Sequence, residues 1–252
     1  MPLDLPQMVC FRVTRQCNAR CRFCLAPPDD VHPDIETLRH CLDWLLSHGV
    51  KTIHFCGGEP TIHPALSQLL LHVNEQGGKT KLTTNAISIS DTLLSTLRVV
   101  DTEVKVSLHG NLEHHNNMVG VKSFKHTTRN LRRLVAAGVR TTVQTTVVAG
   151  QTWVVDWVAN FCLELGIRRL SILPFIPRGN GDNCRDEFDL LSSQRDNLRD
   201  LVKKKRRSLS GRLDIRWLDF AAKSLTVVEP DGRVVLEGLT EATDKVLCHI
   251  GS

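Results

Sequence analysis

The feature that most constrains this chain is a repeated grammar: an amphipathic helix, a glycine stop, then a short β-branched strand. Ile35, Leu38, Cys41, Leu42, Leu45 and Leu46 recur at helical spacing behind Asp34, whose carboxylate suits the N-cap of a first turn. Gly49 then supplies the residue that ends a helix, and residues 50–55 read as a strand. The unit returns with Leu66, Leu69, Leu70 and Val73, then Gly77-Gly78 and a strand over 79–84. It returns with Leu131, Leu134, Val135, Gly138 and a strand over 139–148, and again with a helix over 154–165, Gly166 and a strand over 170–173. Residues 102–108 form a strand after a weak helix over 92–99, and residues 8–13 supply the first strand. Strands alternating with helices pair in parallel through right-handed crossovers, because a parallel connection has to carry the chain back across the sheet. The expected fold class is α/β: a partial (β/α)6 TIM-like barrel, or an open sheet of the same units. In both, functional residues collect at the C-terminal ends of the strands.

After Pro177 the grammar changes. Residues 178–182 are a loop, 192–207 a polar helix, and 225–229 with 233–236 a hairpin around Pro230-Asp231-Gly232. Residues 1–181 are therefore expected to form the core domain and 182–252 a C-terminal appendage of helix plus β-hairpin over the barrel mouth. The composition, 41% hydrophobic and 23% charged, supports a packed core rather than a disordered tail. No apolar run reaches the ~20 residues that cross a bilayer, and residues 1–10 lack the basic start and apolar stretch of a signal peptide. A cytoplasmic protein with no membrane partner is expected. The net charge of +5 permits an anionic substrate, while 5% aromatics and no Tyr argue against a nucleic-acid binder built on stacking platforms.

Nine cysteines in a chain of this size do not suit a disulfide scaffold. Three of them crowd into Cys17-Asn18-Ala19-Arg20-Cys21-Arg22-Phe23-Cys24, just after the first strand. Thiolates are soft ligands suited to zinc or iron–sulfur clusters. Structural zinc wants four ligands, normally as two spaced pairs, and no fourth Cys or His lies at ordinary spacing. A [4Fe–4S] cube held by three cysteines leaves one iron free for a small molecule. After the second strand comes Cys56-Gly57-Gly58-Glu59-Pro60, where two glycines let a ligand approach the main chain and the carboxylate can receive an ammonium.

Cys17-x-x-x-Cys21-x-Phe23-Cys24, with an aromatic before the last cysteine, followed by Gly57-Gly58-Glu59-Pro60, resembles the signature of the radical S-adenosylmethionine (radical SAM) superfamily. The resemblance covers residues 7–181 and continues at later strand ends. Leu82-Thr83-Thr84-Asn85 looks like a TTN segment and Val106-Ser107-Leu108-His109-Gly110 like an SLDG segment. Gln144-Thr145-Thr146 matches a strand that faces the adenosyl group, and Leu173-Pro174 with Pro177-Arg178-Gly179 a segment that contacts adenine. The resemblance implies one [4Fe–4S] cluster on Cys17, Cys21 and Cys24. It implies S-adenosylmethionine (SAM) held by Phe23, Gly57, Gly58, Glu59, Thr84, Asn85, Ser107, Thr145, Pro174 and Arg178. It also implies reductive cleavage of SAM to methionine and a 5′-deoxyadenosyl radical that takes hydrogen from a substrate, with an external flavodoxin- or ferredoxin-like electron donor.

Relatives that modify peptides carry further clusters in a C-terminal extension with a hairpin like Pro230-Asp231-Gly232. Here no cysteine follows that hairpin closely, and only Cys184 and Cys248 remain after residue 181, so one cluster is expected. Cys10, Cys41, Cys56 and Cys162 occupy apolar positions and are expected to be buried structural thiols. Cys248 is a candidate reactive residue, and His109 and His114, beside His115, are candidates for the substrate pocket. The run Lys203-Lys204-Lys205-Arg206-Arg207 reads as a solvated face, with cations complementing a helix C-terminus. Trp153 and Trp157, one turn apart, read as packing. The favoured function is hydrogen abstraction from a small molecule such as a nucleoside, sugar or natural-product intermediate. A peptide maturase is the first alternative. A glycyl-radical activase fits the length but not the Ser-Leu-His-Gly segment, and an iron–sulfur or zinc protein with a structural or sensing role is the non-enzymatic alternative.

Overall fold

In the computed structural model, which describes residues 5–218, 220 and 224–251, ten strands form one sheet in the order β10-β9-β8-β1-β2-β3-β4-β5-β6-β7. The first four residues of the N-terminal stretch read for a signal peptide lie outside the described residues. The six expected strands are present as β1 (Met8–Arg12), β2 (Thr52–Cys56), β3 (Lys79–Thr84), β4 (Glu103–Ser107), β5 (Thr141–Val147) and β6 (Arg169–Pro174). Each pairs in parallel with the next in the chain. Between them run α1 (Ile35–Ser47), α2 (Leu66–Glu75), α3 (Asp91–Val99), α4 (Leu112–Val119), α5 (Phe124–Ala136) and α6 (Trp153–Glu164). Asp34 caps α1 by accepting from the Thr37 N–H, and Ser90 caps α3 by accepting from the Leu93 N–H. The helix α4 was not expected: its sequence, Leu-Glu-His-His-Asn-Asn-Met-Val, carries no apolar stripe. It is set by Asn111, which accepts from the His114 N–H, and by the left-handed cap at Gly120.

Strand alternation divides the sheet into two faces. Val104 and Val106 of β4 are fully buried in the core with Phe11, Ile53, Phe55 and Leu82. Burial of each such side chain contributes roughly 1.5–3 kcal/mol. Glu103, Lys105 and Ser107 alternate with those valines and are only partly buried, so the concave face is polar.

The chain beyond residue 181 joins the same sheet on both sides. After α7 (Arg185–Phe188) and α8 (Ser192–Ser208), β7 (Asp214–Trp217) pairs in parallel with β6. β8 (Leu225–Val228) pairs in parallel with β1, and β9 (Arg233–Glu237) and β10 (Lys245–His249) follow antiparallel. The hairpin read from the sequence is thus β8–β9. The change of grammar after Pro177 marks a change of connectivity, while the hydrogen-bonded layer continues to its edges at β7 and β10.

Candidate active site

The loop after β1 carries the three clustered cysteines, and main-chain hydrogen bonds from three other segments fix it. Gly58 N–H donates to Thr14 O and Glu59 N–H to Gln16 O, each at 2.8 Å; Asn180 N–H donates to Cys24 O at 2.9 Å. Arg20 N–H donates to Val119 O at the end of α4, also at 2.9 Å. A Cβ on Gly58 would sit 2.1 Å from Gln16 O, and one on Gly57 2.4 Å from Thr14 O. These glycines, expected to let a ligand approach, line the same cavity as the three cysteines and also admit the backbone of the cysteine loop. Their first role is to dock β2's exit against that loop.

Cys17, Cys21 and Cys24 are unpaired thiols lining one cavity of about 130 Å³. Burial pushes the Cys17 thiol up to about 11, with the nearby Glu59 and Cys24 charges adding to the shift. Burial raises Cys21 and Cys24 as well, and for Cys21 the other two thiols add repulsion. Three thiolates so placed repel one another and call for a cationic centre, as the donor set of an iron–sulfur cluster does. Among the described residues no three Cys, His, Asp or Glu side chains converge tightly enough to hold a single ion. Ligands of a multi-iron cube stand farther apart than those of one ion, so this donor set fits a cluster better than a lone zinc.

Glu59 lines the same cavity and is 2% exposed. Its Oε1 accepts from the Thr61 N–H, the Thr61 hydroxyl and the Thr84 hydroxyl, and its Oε2 accepts from the Asn85 N–H at 2.7 Å. The carboxylate thereby ties the exit of β2 to that of β3. Burial pushes its pKa up against those four donors, and no cation pairs with it among the described residues. Asn85 also donates through Nδ2 to the side chain of Asn18 in the cysteine loop, at 2.7 Å.

Phe23, Thr84, Asn85, Ser107 and His109 also line the cavity. His109 is 2% exposed and packs edge-on against Phe23, with ring centroids 4.7 Å apart. The Thr146 N–H donates to its Nδ1, which places the proton of the neutral ring on Nε2. Burial, reinforced by His115 and His114, holds His109 well below the usual histidine range. It is a fixed hydrogen-bond donor rather than an acid–base group at neutral pH.

Thr145, Pro174, Arg178, His114 and Cys248 do not line this cavity. Thr145 follows Val143 in alternation and faces the helices; the β5 residue level with Ser107 is Gln144. Pro174 is buried on the side of β6 shared with Leu170 and Ile172. Arg178 turns to the tail, donating to both oxygens of Asp244 at 2.8 and 2.7 Å and to Gly238 O. The His114 ring lies against Trp153, 5.3 Å between centroids. Cys248 sits on β10, three strands from β1, and packs against the main core.

Cys41 and Cys162 are buried as expected, whereas Cys10 and Cys56 are only half-buried and Cys56 lines the cavity. Its place as the last residue of β2, level with Arg12, was the available signal. The cationic run 203–207 falls in the last turns of α8, and the half-buried Trp157 packs against the core on Phe124 and Phe161.

Residues 11–162 match the Radical SAM superfamily. Fe-coproporphyrin III synthase of Methanosarcina barkeri is 26% identical over 230 residues, which cover 89% of this chain and 56% of that protein. Mycofactocin maturase MftC of Mycobacterium tuberculosis is 28% identical over 216 residues, covering 83% and 55%. The crystal structure of Streptococcus suis SuiB bound to precursor peptide SuiA gives a TM-score of 0.79 at 17% identity, over 92% of this chain and 59% of that one. That likeness is one of fold. The chain belongs to the radical SAM superfamily, whose enzymes use a [4Fe–4S] cluster and SAM. It spans about half the length of the curated relatives it matches.

Proposed function

We propose that Cys17, Cys21 and Cys24 hold the [4Fe–4S] cluster and that SAM binds beside it, so that the chain abstracts hydrogen from an organic substrate. One observation carries this reading: the three thiols, the Gly57-Gly58-Glu59 loop, Thr84-Asn85, Ser107 and His109 line a single cavity at the C-terminal ends of β1–β4. When bound, the cluster would supply the single electron for reductive cleavage of SAM, the source of the hydrogen-abstracting radical. The chain's own residues bind and orient. Glu59 is hydrogen-bonded but not charge-paired, so it offers a negative charge to the methionine ammonium. Ser107 Oγ and His109 Nε2–H offer donors to the ribose or carboxylate, and Phe23 presents an aromatic face. Thr145, Pro174 and Arg178 have no part in this arrangement.

The substrate favoured here is a small molecule. A short peptide is the second reading, supported by the likeness to a mycofactocin maturase and to a structure with a bound precursor peptide. We take residues 182–252 as a cluster-free extension, and the electron source as an external flavodoxin- or ferredoxin-like protein in a reducing, cytoplasmic setting.

The test is anaerobic reconstitution with iron and sulfide, then dithionite and SAM. A brown protein with about four irons per chain that forms 5′-deoxyadenosine is the expected result. Alanine at Cys17, Cys21 or Cys24 should abolish that product. One zinc per chain without colour, or full activity in any of the three variants, overturns the ligand assignment.

A further inference from the structure

A second feature concerns the concave face below this cavity. On β4, Glu103 lines a cavity of about 750 Å³ at the N-terminal end of the sheet, and Ser107 lines the cysteine cavity at the other end. Lys105 lies between them on the same face, level with Thr83 of β3 and Thr142 of β5. Its side chain is half-buried and makes no hydrogen bond or ion pair with any described residue, and it lines neither cavity itself. Its charged neighbours are all otherwise engaged. Glu103 accepts from Lys81 at 3.2 Å and Arg169 at 3.0 Å, and Arg169 also reaches Asp214.

The lower cavity is also cationic. Arg140 and Arg169 on its wall are paired with Asp101 and with Glu103, whereas Arg168, Arg206 and Arg212 have no ion pair among the described residues. Three uncompensated guanidinium groups from three segments attract anions to this end of the sheet. A half-buried ammonium with no protein partner keeps three donors to offer a bound anion.

We propose that Lys105 anchors a carboxylate or phosphate of the substrate, which enters through the arginine-lined lower cavity. The anchor places the rest of the molecule against Ser107 and Thr83, under the cofactor cavity. The inference rests on the radical SAM reading for the identity of that cavity's ligands, and it narrows the substrate to an oxyanion-bearing molecule.

Binding can be tested on the full chain before any cluster is installed, so its outcome is separate from that of the SAM assay. Titration calorimetry at low salt would use inorganic phosphate and citrate as probes, against wild type, Lys105→Met, Lys105→Arg and Lys122→Met. Lys122 is exposed and lies in the loop between α4 and α5, off the concave face of the sheet. We expect at least one probe to bind wild type, binding to weaken about tenfold or more in Lys105→Met, and Lys105→Arg and Lys122→Met to stay within about threefold. Binding of phosphate alone points to a phosphorylated substrate, and of citrate alone to a carboxylate. Either result supports the anchor.

Reductive methylation of wild type, read by mass spectrometry, needs no variant. Saturating probe should slow labelling of Lys105 about fivefold or more without slowing Lys122. Failure of both probes to bind, equal losses in Lys105→Met and Lys122→Met, or unprotected Lys105 overturns the proposal.

Discussion

The buried carboxylate at the cysteine cavity and the half-buried carboxylates at the junction with the tail are satisfied in opposite ways. Glu59 receives four hydrogen bonds, all from neutral donors. At the junction, Glu229 and Glu237 pair with Arg12, and Asp244 and Glu237 with Arg178. Both arginines are under a tenth exposed. The junction carboxylates are satisfied in hydrogen bonds and in charge, although Arg178 Nε makes no hydrogen bond to a described residue, and the junction joins β1 and the β6 exit to the tail. The cavity is satisfied in hydrogen bonds only. A buried carboxylate whose geometry is complete but whose charge is not marks where a cationic ligand group belongs, whereas one with both complete is structural.

The largest expected effect comes from the contact that positions Glu59. Gly58→Ala puts a methyl 2.1 Å from Gln16 O, a backbone atom that cannot yield without moving the cysteine loop. We expect a loss on the order of 3 kcal/mol or more in urea unfolding, with iron incorporation falling sharply. Gly49→Ala is the control: it has a positive φ of 87° but open space around it, and should cost only about 1 kcal/mol with iron content unchanged. Gly58 has no positive φ, so a loss at Gly58→Ala no larger than that at Gly49→Ala would mean that the loop contact does not set the effect.

Next come the carboxylates themselves. Glu59→Ala strands four donors and should cost about 2–4 kcal/mol, while Glu59→Gln keeps most of the acceptor geometry and costs less. If the uncancelled charge matters, Glu59→Gln should weaken SAM binding to the reconstituted protein about tenfold, by equilibrium dialysis. Unchanged SAM affinity would break the contrast. Arg178→Met should lower stability by about 2–3 kcal/mol, less than a fully enclosed pair because one end of the joint is solvated. SAM affinity should hold in Arg178→Met; a tenfold loss would return Arg178 to the cofactor site that its place in the sequence suggested.

Much of this contrast was legible in the sequence on one side and hidden on the other. The helix–glycine–strand period gave β1–β6 to within about two residues because each strand buries an apolar face against its own neighbouring helices. The cysteines, the glutamate loop and Ser107 follow directly from strand ends, so placing the strands placed them. Arg178 and Thr145 lie away from the cavity for different physical reasons. Thr145 is one residue off the concave face, and a single step in a strand reverses the side chain. The ion pairs of Arg178 span about 60 residues to Glu237 and Asp244, and no local pattern encodes such a partner. β7 and β10 were invisible because their four- and five-residue sequences carry strand character only once β6 and β9 lie beside them.

The smallest effect separates the two regions by pH. His115 packs behind His109, accepting the His109 N–H at Nδ1 and bonded through Nε2 to Ser123 Oγ. Burial, with His114 adding, lowers its pKa to about 4. An unfolded chain protonates that ring near 6.5, so between pH 6.5 and about 4 the unfolded state binds more protons and stability falls as pH falls. The slope is about 1.4 kcal/mol per pH unit for one such group, or about 3 kcal/mol over the whole window. At the junction, burial opposes ionisation of Asp244, but its bonds to Arg178 and Gly238 hold it below its usual value. That contribution persists until the pH drops beneath the ordinary aspartate range. Acid should therefore loosen the β4 exit before the tail. Urea unfolding at pH 7.5 and 5.0 should show a loss that shrinks by about 2 kcal/mol in His115→Asn, with no such change in Arg178→Met. If His115→Asn keeps the full acid loss, the histidines behind the cavity are not what makes that end of the sheet acid-labile.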